Sequence, residues 1–166
     1  EPFELKTVEL DMEVLGALTT AEGARAALGA LEREYGAWIT QQRASAPAGG
    51  QRGEVTRELL DYCERARRRI ARGVAELDDP MVLEAFCLAN RAMAAAARRR
   101  TAKAKGWAPE RVDAPRWRLF QLAFLLMNLR GIARPSDPER EVLDLLFFPT
   151  GGGKTEAYLG LAAFTL

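Results

Sequence analysis

The sequence predicts a mainly α-helical region over residues 1–114, followed over 115–166 by the start of an α/β lobe built around a phosphate-binding loop. Three observations carry that expectation. Apolar residues recur at spacings of three and four through 54–77 and again through 80–105, the period of amphipathic helices. Val142 to Phe148 is a short apolar run of the kind a buried parallel strand shows. Directly after it, Pro149-Thr150-Gly151-Gly152-Gly153-Lys154-Thr155-Glu156 sets three glycines ahead of Lys and Thr, and Glu156 to Ala163 has helical composition.

Taken in order, Val8 to Val14 alternates apolar and acidic residues with period two, which predicts a short strand near 8–14. Thr19-Thr20-Ala21-Glu22 offers a capping box for a helix reaching about Arg43, with Ala24, Leu28, Leu31, Tyr35 and Trp38 on one stripe. Ser45 to Gly53 reads as a flexible loop. The next helix, from Glu54 to Leu77, has Val55, Leu59, Tyr62, Cys63, Ala66, Ile70, Val74 and Leu77 as its apolar stripe. Asp78-Asp79-Pro80 supplies an N-cap and a first-turn proline for a third helix to about Lys105. Gly106 to Pro115 holds two prolines and is the predicted domain boundary. Arg116 to Arg130 is apolar almost all round, so that helix should be buried.

The glycine run has a physical reading. A triphosphate needs several backbone N–H groups converging on it, and only glycines let the chain pass that close without a side chain in the way. Gly151, Gly152 and Gly153 meet this need, and a helix starting at about Lys154 would turn its unpaired N–H groups and positive dipole end to the phosphates. Lys154 would neutralise the β and γ phosphates, and Thr155 would put its hydroxyl on Mg²⁺. Phe148 stands where the general pattern has its first glycine, so the strict pattern fails by one residue.

Composition excludes several chemistries. The chain of 166 residues has no His, which removes Ser-His-Asp and Cys-His catalysis and His-based metal sites from it. Its two cysteines, Cys63 and Cys87, lie on apolar stripes and read as buried free thiols. No apolar run approaches the roughly 18 residues of a membrane span, and no signal-peptide pattern opens the chain, so a cytoplasmic, membrane-free protein is expected. The net charge of +1 is unevenly placed: residues 91–118 hold nine bases (Arg91, Arg98, Arg99, Arg100, Lys103, Lys105, Arg111, Arg116 and Arg118) against Glu110 and Asp113. Such asymmetry suits a face that meets a polyanion such as DNA.

The core Pro149-Thr150-Gly151-x-Gly153-Lys154-Thr155 resembles motif I of superfamily two helicases. Thirty residues ahead of Gly151, Gln121 in Trp117-Arg118-Leu119-Phe120-Gln121 resembles the Arg-x-aromatic-Gln segment of many such helicases, where the glutamine recognises the adenine edge. With Glu84 to Met93 and Asp144 to Gly160, these segments resemble the helicase component of DISARM, the bacterial anti-phage defence system.

The resemblance implies a RecA-like ATP-binding lobe beginning at 115, ATP and Mg²⁺ as cofactors, and a DNA-dependent ATPase motor acting with a partner DISARM protein. The implied cofactor-binding residues are Gln121, Pro149, Thr150, Gly151, Gly152, Gly153, Lys154, Thr155 and Glu156, with Lys154 and Thr155 catalytic and Thr155 on the metal. Because the chain opens on Glu1 and stops inside the helix after the loop, it is expected to be an excerpt of a larger protein, inactive by itself. Two other classes stay open: a non-helicase P-loop ATPase motor, and a helical partner-docking module whose loop is degenerate.

Overall fold

The helices that start at Met12, Ala21 and Pro80 begin where a side chain caps the first turn. In a computed structural model, which describes residues 7–147 and 151–166, six α-helices form. Helix α1 (Met12–Gly16) is capped by Asp11, whose carboxylate accepts from the N–H groups of Glu13 and Val14 at 2.7 and 3.2 Å. Helix α2 (Ala21–Ser45) is capped by Thr20, whose hydroxyl accepts from Gly23 N–H at 3.0 Å. Helix α3 is Gly50–Glu76, and helix α4 (Pro80–Lys105) starts on the Asp79 cap with Pro80 in its first turn. Gly106 ends α4 in the left-handed conformation, at φ 66°. Helices α5 (Leu119–Ala133) and α6 (Lys154–Thr165) follow, with short 3-10 turns at Pro109–Arg111 and Pro138–Glu141.

One contiguous core joins all six helices. Leu15 of α1, Leu28 and Leu31 of α2, Ile70 and Val74 of α3, Phe86 of α4, Leu122, Leu125, Leu126 and Leu129 of α5, and Phe164 of α6 belong to it. Helix α5 is almost wholly apolar and lies among the others, packed on α3 and α6, as expected for a helix without a polar face. At the α3–α5 crossing the backbones touch: a Cβ placed on Gly73 would lie 1.8 Å from the carbonyl oxygen of Leu126.

The α/β expectation is overturned. The structure is 75% helix, and no strand or sheet forms among the described residues, so no α/β phosphate-loop lobe is present. The predicted strand near 8–14 is replaced by a short extended stretch and α1, because the Asp11 carboxylate satisfies the first N–H groups of a helix there. All that remains of pairing is one isolated antiparallel bridge between Asp11 and Arg116, with Met12 N–H donating to Pro115 O at 2.9 Å and Trp117 N–H to Leu10 O at 2.8 Å. The predicted strand at 142–148 is extended over 142–147 but unpaired, while Phe148 lies outside the described residues. Leu143, Leu145 and Phe147 are 94%, 85% and 90% exposed there, since a pleated segment buries its apolar face only where neighbours cover it.

Two further differences concern α3. It begins at Gly50, inside the stretch whose composition reads as a loop, and buried Gly53 sits so close to Pro47 that a Cβ would lie 2.7 Å from its carbonyl oxygen. The stripe through Val55, Leu59 and Tyr62 is exposed, and Leu60 is the large apolar residue buried in that half of the helix. The free thiols agree with the expectation in part: Cys87 is buried, Cys63 half-buried. Burial pushes the Cys87 thiol pKa up, which suits an inert side chain.

Ion pairs tie the segment between α5 and α6 to the helical body. Arg69 of α3 makes a bidentate pair with Asp144 at 2.6 and 2.7 Å and also donates to Met127 O at 3.3 Å. Arg72 pairs with Glu139 at 2.5 Å. Buried Glu76 accepts from Arg130 and Arg134 at 2.7 and 2.8 Å, joining the end of α3 to the end of α5. These contacts position the chain on its way to the glycine run.

Candidate functional site

Helix α6 begins on the glycine run itself. Gly151 and Gly153 have φ values of 81° and 87°, a region that L side chains rarely adopt, and Gly153 is the N-cap of α6. No side chain among the described residues caps that end, so nothing of this kind competes for the first-turn N–H groups. Helix α6 is held in place from below: a Cβ on Gly160 would lie 2.7 Å from the Trp117 ring, and Trp117 Nε1–H donates to Asn90 Oδ1 at 2.7 Å. Asn90 in turn donates to Phe86 O at 2.9 Å, which anchors the set to α4. Phe124 meets Tyr158 edge-on, with ring centroids 5.5 Å apart, and ties α6 to α5.

Two side chains from the start of α5 fasten the loop. Arg118 Nη1–H donates to the carbonyl oxygen of Gly152 at 2.8 Å. Gln121 Nε2–H donates to that of Gly153 at 2.8 Å, while Gln121 Oε1 accepts from Arg118 N–H at 2.8 Å. Gln121 is 4% exposed. A Cβ on Gly153 would lie 2.6 Å from Gln121 Nε2, so the absence of a side chain at 153 is needed for this contact as well as for φ.

A cavity of about 710 Å³ opens over this arrangement. Gly151, Gly152, Gly153, Lys154, Thr155 and Glu156 line it, together with Arg116, Arg118 and Gln121. Helix α4 closes it, and Arg100 Nη2 lies 3.2 Å from Glu156 Oε1 across the mouth. The predicted residues Gln121, Gly151, Gly152, Gly153, Lys154, Thr155 and Glu156 are therefore brought together, whereas Pro149 and Thr150 lie outside the described residues. Sequence reasoning placed Arg100, Arg116 and Arg118 among the bases of a face suited to a polyanion, not beside the glycine loop. The signal for Arg118 was its place in the Arg-x-aromatic-Gln segment, three residues before the glutamine whose Oε1 accepts from its N–H.

Gln121 makes two hydrogen bonds within the protein. It has four hydrogen-bonding positions, of which one donor and one acceptor are taken by the loop and by the start of α5. A residue that braces the loop acts on any nucleotide that the loop holds. Gln121→Ala is expected to weaken ATP and GTP binding by the same factor, about tenfold, the cost of losing roughly 1.4 kcal/mol of support. A competition titration with both nucleotides checks this; loss of ATP preference alone would assign the amide to the base.

The basic segment at the end of α4 splits into distinct roles. Arg98 pairs with Glu13, donates to Val112 O and to Pro109 O at 3.3 Å, and so fastens α4 to α1 and to the Pro109–Arg111 turn. Its hydrogen bond to Glu13 holds that carboxyl below its usual pKa. Lys105 lies over the Trp107 ring at 4.2 Å. Arg99 and Lys103 are exposed and have no ion-pair partner among the described residues. Among those residues there is also no group of three or more His, Cys, Asp or Glu placed to hold a metal, and no helix long and apolar enough to cross a membrane.

These features define an all-helical unit whose last helix springs from a braced glycine loop inside a cationic cavity. The chain is homologous to DISARM protein DrmA of Bacillus paralicheniformis: they are 37% identical over 144 residues, which is 82% of this chain. The chain spans 13% of that relative's length. No family model matches it.

Proposed function

We propose that the loop at the start of α6 binds the phosphates of ATP, and that the chain is the ATP-binding part of a DNA-dependent motor of the superfamily two helicase kind. The motor would work in the cytoplasm, in DISARM anti-phage defence, with a partner DISARM protein. The observation that carries the reading is the bracing of Gly152 and Gly153 by Arg118 and Gln121, beside Lys154 and at the N-terminus of α6. The likeness to DISARM protein DrmA supports the defence role.

The residues present fit the proposed ligand. Positive-φ glycines give the backbone a close approach, no side chain among the described residues caps the helix end, and Arg116, Arg118 and Lys154 supply positive charge. Lys154 would sit against the β and γ phosphates, and Thr155, which is exposed in the first turn, would hold Mg²⁺ through its hydroxyl. Mg²⁺ held there would supply positive charge at the phosphates. Exposed Arg99 and Lys103 offer contacts to a DNA backbone close to this cavity.

The test is hydrolysis of ATP by the full-length protein, measured with and without DNA. The proposal expects DNA to raise turnover severalfold. Hydrolysis indifferent to DNA would support a P-loop motor of another kind, and a protein that binds no nucleotide would be a helical docking module.

A further inference from the structure

Resting on the phosphate reading of the glycine loop, we infer that helices α1 and α4 build the seat for the base and ribose of the nucleotide. Met93, Ala96, Ala97 and Arg100 line the cavity, and their spacing of three, four and seven places them on one face of α4. Met12 of α1 and Leu159 of α6 extend that apolar wall. The cavity is thus cationic where the loop enters it and apolar on the α4 side, the polarity of a nucleoside triphosphate laid from phosphates to base.

Size and composition agree with this occupant. A volume of about 710 Å³ is ample for a nucleotide, since small-molecule sites run from roughly 300 to 1,000 Å³. The α4 wall keeps that room because two of its four residues are alanines: Ala96 is exposed and Ala97 half-buried, so a larger side chain at either would project into the cavity rather than into the core. Arg116 is exposed, lines the same cavity and has no carboxylate partner among the described residues. Its planar guanidinium is suited to stack on a base. Gln121 gives one donor to the loop at Gly153 O, and the apolar contacts along α4 are those inferred to hold the base.

The consequence is that the region before 115 takes part in nucleotide binding through named side chains. It also couples nucleotide to the body of the protein, since Arg100 on the same face of α4 reaches Glu156 in the first turn of α6.

The experiment compares Mg·ATP with Mg·tripolyphosphate, which has the phosphates and no nucleoside, by equilibrium titration of full-length protein. Ala96→Trp fills the seat from an exposed position and is expected to weaken ATP binding at least tenfold while leaving tripolyphosphate binding unchanged. Ala97→Leu, a smaller filling, is expected to show the same selectivity to a lesser degree. If wild-type protein binds both ligands and the two variants bind ATP as tightly as wild type, the nucleoside lies elsewhere and this inference falls while the phosphate reading stands. Equal loss of both ligands in the variants would also overturn it. A wild-type protein that binds neither ligand overturns the phosphate reading and this inference together.

Discussion

Lys154→Ala in the full-length protein is expected to abolish DNA-stimulated ATP hydrolysis, lowering turnover by about a thousandfold. The expectation rests on where the residue stands. Lys154 is the first residue of α6, directly after the N-cap Gly153, and lines the cavity over the loop. At that place its ammonium adds a full positive charge to the partial charge of the helix end, where phosphate charge would concentrate. Arg116 and Arg118 are exposed and line the same cavity. They would keep part of the ground-state attraction, so the loss should fall on turnover more than on ATP affinity. Steady-state hydrolysis over a range of ATP and DNA concentrations separates the two. Turnover at the wild-type rate would remove Lys154 from the chemistry.

The second large effect concerns the helical body. Gly73→Ala is expected to destabilise the α3–α5 pairing by about 3 kcal/mol, at the upper end of what overpacking costs. The atoms that the new Cβ would meet, Leu126 O at 1.8 Å and Leu126 C at 2.7 Å, are backbone and cannot rotate aside. The helices must therefore separate, which opens the buried row of Leu122, Leu125 and Leu129 and strains the Glu76–Arg130 pair at the same crossing. Hydrogen exchange of α3 and α5 amides in the full-length protein reads this out, with protection expected to fall about a hundredfold. Undiminished protection would mean that the two helices are not in backbone contact.

What the sequence disclosed follows the range over which each interaction acts. Helix α4 could be read almost to the residue because Asp79, Pro80 and Gly106 mark its ends by local chemistry. Thr20 marks the start of α2 in the same way. The strand at 142–148 could not be judged from its own residues: apolar character makes a strand only where partners pair its backbone, and here Leu143, Leu145 and Phe147 stay exposed. At 8–14 the alternating pattern competed with the Asp11 cap, and the cap prevailed.

The site divides along the same line. The glycines, Lys154 and Thr155 are contiguous, so their grouping at the start of a helix is legible in the sequence. The braces are not local: Arg118 reaches Gly152 across 34 positions and Gln121 reaches Gly153 across 32. Gln121 resembles a base-reading glutamine in the sequence, and its hydrogen bond to Gly153 O is visible only in the fold. The α4 wall was hidden for another reason. Ala96 and Ala97 contribute by being small, and periodicity reads small apolar residues as core.

The central claim is that the braced glycine loop holds phosphate, and equilibrium binding of Mg·ATP to wild-type and Gly153→Ala full-length protein tests it most directly. The substitution places a side chain at φ 87° and 2.6 Å from Gln121 Nε2, so it disturbs the loop while lying away from the α3–α5 core. The account predicts saturable binding by wild type and loss of at least about two orders of magnitude in affinity in the variant, with hydrogen exchange of α3 and α5 unchanged. Equal ATP affinity in the two proteins would contradict it.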